Sequence, residues 1–111
     1  MKLTDLINAI PLTVVCGSAD GVEADGVYAG DLLSRAMSHV KENNLWITIM
    51  SNANVIAVAS LTGCAAVLLA EGVELIPEAL AAAEDNDILV LSSAKSVYEL
   101  CVLVGSTERA S

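Results

Sequence analysis

The chain has 111 residues, 55% of them apolar but only 3% aromatic, with no Phe, so its core must come from Val, Leu, Ile and Ala. Fourteen Asp and Glu against five Lys and Arg give a formal charge of −9. That composition excludes disorder, which needs low hydrophobicity, and disfavours nucleic acid and anionic membranes, which need a cationic surface that scattered Lys2, Arg35, Lys41, Lys95 and Arg109 do not supply.

The length suits a single domain, residues 1–111. No basic n-region followed by an apolar run opens the chain, so no secretory leader is read there. The first amphipathic segment carries Leu3, Leu6, Ile7 and Ile10, and Pro11 ends it. Leu12 to Cys16 is a strand candidate. Residues 17–25 form a polar, acidic loop, and residues 26–30 form a short extended segment. Asp31 is placed to cap a helix whose apolar stripe is Leu32, Leu33, Ala36, Met37 and Val40.

From Asn43 to Ala70 there is no charged side chain. A run of that length could span a bilayer, but it is punctuated. Leu45 to Met50 is short and rich in β-branched residues, as a buried strand is. Ser51-Asn52-Ala53-Asn54 reads as a turn and helix cap. Asn54 to Thr62 is helix-length, and Gly63 closes it. Ala65 to Ala70 is a second buried strand. Parallel strands covered on both faces produce such unbroken apolar runs, so the stretch reads as strand, helix, strand.

A loop over residues 72–76 follows. Pro77 opens an Ala-rich helix that ends near Asn86, with Glu78 on its positive end. Ile88 to Leu91 is a strand. Ser96-Val97-Tyr98-Glu99 matches a capping box that opens the last helix. Val97, Leu100, Cys101 and Val104 form one stripe on that helix, and Tyr98 and Val102 a second. A terminal helix apolar on two sides either sits deep or meets a partner; on the second reading Tyr98 and Val102 are the candidate homodimer contacts. Residues 105–111 read as a frayed tail. The order implies an α/β domain, a mainly parallel sheet of 4–5 strands flanked by about five helices.

Motifs that carry chemistry are sparse. There is no GxGxxG, P-loop, CxxC, GxSxG or HExxH. His39, the only histidine, lies at the edge of its helix's apolar stripe and reads as partly buried and hydrogen-bonded. Cys16, Cys64 and Cys101 are an odd set without paired spacing, which suits small buried hydrophobes in a reducing cytoplasm. A nucleophilic Cys16 has no local base or cation to support it. Asp20, Glu23 and Asp25 lack a calcium-loop pattern and read as a solvated acidic loop. No catalytic residue, metal ligand or cofactor is assigned.

Ligands of parallel sheets bind beyond the carboxyl ends of the strands. The residues at those ends, Asp31, Ser51, Asn52, Asn54, Glu71 and Ser92, are the candidate lining of a small-ligand crevice. Each has a simpler role available, as a helix cap.

Residues 26–34, Trp46–Asn52, Leu68–Glu74 followed by Pro77, Ile88–Ser93 and Ser96–Leu100 together resemble the DRTGG domain. That module occurs in the N-terminal part of HPr kinase/phosphorylase, between CBS domains of some inorganic pyrophosphatases, and in small stand-alone versions. The resemblance is best over residues 26–104. The eponymous Asp-Arg-Thr-Gly-Gly string is absent here, and Ser51-Asn52-Ala53-Asn54 stands where related domains carry Gly-Asp-Arg-like residues. The resemblance implies an α/β fold and a non-catalytic regulatory or scaffolding role, often with self-association. The alternative is a sensor of a nucleotide or metabolite. The acidic balance favours a neutral or cationic ligand over an anion.

Overall fold

A computed structural model describes residues 1–110 of the chain. In chain order the elements are α1 (Leu3–Ala9), β1 (Thr13–Cys16), β2 (Gly26–Ala29), α2 (Leu33–His39) and β3 (Asn44–Thr48), then α3 (Ala53–Thr62), β4 (Ala66–Leu69), α4 (Pro77–Asp85), β5 (Val90–Ser92) and α5 (Val97–Ala110). The five strands form one sheet in the order β1-β5-β4-β3-β2. β2, β3, β4 and β5 are mutually parallel, and β1 runs antiparallel to β5 along one edge. This is the mainly parallel α/β domain that the alternation of elements predicts.

The sheet is covered on both faces. Ala36 and Val40 of the α2 segment, Val55, Ile56 and Ala59 of α3, and Ala79 and Ala83 of α4 pack on Trp46, Val67, Leu69 and Val90. On the other face, Leu3 and Leu6 of α1 and Leu100 and Val104 of α5 pack on Leu45, Ile47, Leu68 and Leu91. Successive residues of a strand point to opposite faces. A strand covered on both sides must therefore be apolar at nearly every position. β3 and β4 are buried throughout, which accounts for the uncharged run. No helix among the described residues is long and apolar enough to cross a membrane.

Local signals at the helix ends act as the sequence suggests. The Asn52 side chain accepts from Asn54 N at 3.0 Å and caps α3. Gly63 ends that helix with φ 70°, a left-handed conformation that favours glycine. Pro77 occupies the first turn of α4. Ser96 and Glu99 form a reciprocal capping box, each backbone N–H donating to the other's side chain at 3.1 Å. The Ser96 N–H holds the Glu99 carboxyl below its ordinary value. A lowered folded-state pKa stabilises above the unfolded value, so this cap weakens as the pH falls through the carboxylate range.

Three expectations are corrected. Asp31 does not cap α2: Leu32 occupies the N-cap position, and no side chain caps that helix. Leu32 and Met37 are 62% and 52% exposed, so the stripe of α2 narrows to Leu33, Ala36 and Val40. Leu32 precedes the helix in extended conformation, and Met37 lies about 100° round the helix from the buried Ala36, on its outer side. Finally, α5 continues through Ala110, where the sequence suggests fraying from residue 105. Val104 is buried at the middle of that helix and supports the turns beyond it. Ser111 lies outside the described residues.

Candidate functional site

The crossovers decide where a crevice can open. α2, α3 and α4 all lie on one face of the sheet, so the loops leaving β2, β3 and β4 turn the same way. α5 follows β5 onto the opposite face. A crevice forms where successive strand-end loops part to opposite faces, and here that point lies between β4 and β5.

At the β2–β3 end the turns are tied together. The Asp31 carboxylate accepts from Thr48 Oγ1 at 2.8 Å and from Ile49 N at 2.9 Å. Thr48 Oγ1 in turn accepts from Met50 N at 3.2 Å. Trp46 Nε1 donates to the Gly30 carbonyl at 3.1 Å. Asp31 therefore anchors the end of β3 through one carboxylate oxygen, Oδ1. Asp31→Ala should cost about 1.5–3 kcal/mol, the worth of hydrogen bonds to a charged group, because it strands the buried Thr48 hydroxyl. Asp31→Asn, which keeps an acceptor oxygen, should cost less. Urea unfolding of the two variants checks this; equal losses would overturn it.

The next turns are also internally engaged. The Ser51 carbonyl accepts from Ile76 N at 3.1 Å, which binds the β3–α3 turn to the loop before α4. The Asn52 side chain is committed to its cap. Asn54 is exposed on the first turn of α3, and Glu71 is exposed at a backbone φ of 61°. Glu71 N and Gly72 N donate to the carbonyls of Lys95 and Ser93 at 2.8 and 2.9 Å. The two parting loops are thus stitched at their base.

Ser92 differs from the other five. It lines a cavity of about 350 Å³ with Thr13, Val15, Val73, Glu74, Leu75 and Leu80. The cavity lies beside the parting of β4 and β5, between β1 and α4. Of the six predicted residues, Ser92 is thus placed in a cleft, Asp31 and Asn52 are engaged in holding turns, and the Ser51 backbone closes a loop. Thr13, Glu74 and Leu80 carry no motif, and only the β1–β5 register brings the first of them to Ser92.

The nucleophile candidates are pushed away from reactivity. Burial, then the Glu84 charge, raises the Cys16 pKa, and burial raises Cys101. Burial pushes the Cys64 thiol up to about 11. A reactive cysteine needs the opposite shift. His39 is exposed on α2, not partly buried as the sequence suggests. Its ring lies 6.3 Å from that of Tyr28, and Nδ1 sits 2.9 Å from the Arg35 carbonyl. A carbonyl only accepts, so Nδ1 carries the hydrogen in that bond. No cluster of three or more His, Cys, Asp or Glu among the described residues could hold a metal ion.

α5 presents a second surface. Tyr98 is 77% exposed and Val102, one turn on, is 49% exposed. With Lys95, Glu99 and Leu103 they line a shallow groove of about 290 Å³.

No family model and no curated protein matches the chain. Among solved structures, it is similar to the CBS and DRTGG domains of the regulatory region of Clostridium perfringens pyrophosphatase, complexed with the activator diadenosine tetraphosphate. The TM-score is 0.78 at 12% identity, over 96% of this chain and 46% of that one. The chain therefore spans about half the length of that structure and shares its fold, in line with the resemblance read from the sequence.

Proposed function

We propose that the chain is a non-catalytic regulatory module that acts by contact, as a homodimer and with protein partners. The observation that carries this is the fold shared with a pyrophosphatase regulatory region at a TM-score of 0.78. The raised thiol pKa values support a non-catalytic role. The α5 face is the surface we assign to self-association. Tyr98 and Val102 sit there as large, exposed apolar groups. Three half-buried free thiols suit a reducing cytoplasmic location.

Sedimentation or light scattering tests the dimer. The wild type should have twice the chain mass. The pair Tyr98→Lys and Val102→Glu should weaken association by more than about 30-fold, the loss of one interface hot spot. Each copy carries −9, so association should strengthen as salt screens the repulsion. A strict monomer at high protein concentration and moderate salt would overturn this part of the reading.

The cleft at Ser92 favours a second reading, a small-ligand sensor at the carboxyl edge of the sheet. The pyrophosphatase region has an activator bound, diadenosine tetraphosphate. A polyanion of that kind would meet Glu74 and an overall charge of −9 here.

A further inference from the structure

We propose that the cleft between β1 and α4 binds small organic amines, with the ammonium group on Glu74 and the apolar body against Val15, Val73, Leu75 and Leu80. This rests on the sensor reading and names its ligand class.

Four observations lead to it. First, the register pairs Thr13 with Ser92 across β1 and β5. Directly opposed residues of an antiparallel pair project to the same face, with Cβ atoms about 5 Å apart. Their side chains therefore share one face of the sheet, and both line the cleft. Second, no side-chain hydrogen bond or ion pair within the described residues engages the Thr13 or Ser92 hydroxyl or the Glu74 carboxylate. Polar groups converging on an apolar-walled cleft without partners of their own are what a ligand site offers. Its volume of about 350 Å³ suits a molecule of a single ring or a short chain.

Third, the walls are aliphatic. Val15, Val73, Leu75 and Leu80 are each partly exposed, so covering them removes apolar surface from water. A bare metal ion would gain nothing from such walls, and one carboxylate is too few ligands for it.

Fourth, the charge sign is set. None of the five basic residues lines the cleft, and Lys95 faces the α5 groove. The nearby N-terminus of α4 could favour an anion. Pro77 has no N–H to offer there, and Glu78 already places a carboxylate on that turn. A cation is attracted both by Glu74 and by the field of a −9 protein.

Amide NMR titration with phenethylamine at neutral pH tests this, with phenethyl alcohol and hydrocinnamate as neutral and anionic probes of the same shape. The amine should give saturable shifts confined to residues 13–15, 73–75, 80 and 92. Hydrocinnamate should give none. Glu74→Gln should weaken the amine by about threefold or more, the scale of an exposed ion pair, and leave the alcohol unchanged. Ser92→Leu should fill the cleft and abolish both, with circular dichroism confirming the fold. Absence of a saturable amine shift, equal affinity for amine and alcohol, or indifference to Glu74→Gln would each overturn the assignment. A thermal-shift panel of nucleotides and metabolites separates the two levels. Stabilisation by another class alone leaves the sensor reading standing and the amine assignment refuted; stabilisation by none refutes both.

Discussion

Trp46→Ala is expected to lose about 3–5 kcal/mol of folding stability, the range for truncating a large buried aromatic. Trp46 is fully buried on β3, one strand in from the β2 edge. It is the only tryptophan, and the chain has no phenylalanine to fill the space around it. The core cluster on that face is otherwise aliphatic, built from Val, Ala, Ile56 and Leu69 side chains of the helices and the adjoining strands. They sit on helices and strands whose backbones are fixed by their own hydrogen bonds, so a cavity there would close only in part. The indole also donates to the Gly30 carbonyl, which ties β3 to the end of β2. A domain of this size has about 5–15 kcal/mol in total, so the variant should sit close to unfolding at ambient temperature. Trp46→Phe separates the two contributions. It keeps most of the volume but orphans the carbonyl, and should cost less. Urea unfolding followed by far-ultraviolet circular dichroism measures both, since the variants lose the fluorescent probe. A loss below about 1.5 kcal/mol for the alanine variant would contradict the packing described above.

The second large effect is expected at Gly17. Its φ of 84° is left-handed, and a Cβ there would lie 2.8 Å from Leu89 Cα and 3.1 Å from the Ile88 carbonyl oxygen. Both obstacles are backbone and cannot rotate aside. Gly17→Ala combines left-handed strain of about 1–2 kcal/mol with overpacking of about 1–3 kcal/mol. Gly72→Ala is the control. Gly72 has φ 71° but open space around a built Cβ, so it should show the conformational cost alone. The damage at Gly17 should be local as well as global. β1 is an edge strand whose register with β5 already shifts between Val14 and Cys16. Hydrogen exchange should therefore accelerate in β1 before the rest of the sheet. Equal melting-temperature shifts for the two glycine variants would show that the backbone approach at Leu89 is not the constraint.

Much of the fold is legible because its signals are local. The uncharged run from Asn43 to Ala70 looks like a possible membrane span in the sequence, yet its Asn52 cap and Gly63 stop divide it into strand, helix and strand. The structure places those caps where the sequence does. The Ser96–Glu99 box works for the same reason, since both partners lie within one turn. Asp31 is misread because an Asp just before a helix normally caps it. Its actual partners, Thr48 and Ile49, are 17 and 18 residues away, and only strand pairing brings them near.

The cleft shows the same division. Ser92 is a candidate from its place at a strand end. Thr13 and Leu80 are not, because nothing in the one-dimensional pattern says that β1 pairs antiparallel with β5 or that α4 packs beside it.

By itself the sequence determined the class of the protein and its building blocks: an acidic α/β domain, an aliphatic core, the order of its elements and most of their ends. Those properties follow from hydrophobic period, caps and charge, which act over a few residues. Tertiary structure alone decided the strand order, the face each helix covers, and so the one place where the strand-end loops part. Those outcomes depend on hydrogen bonds and packing between segments far apart in the chain, and no local preference encodes them.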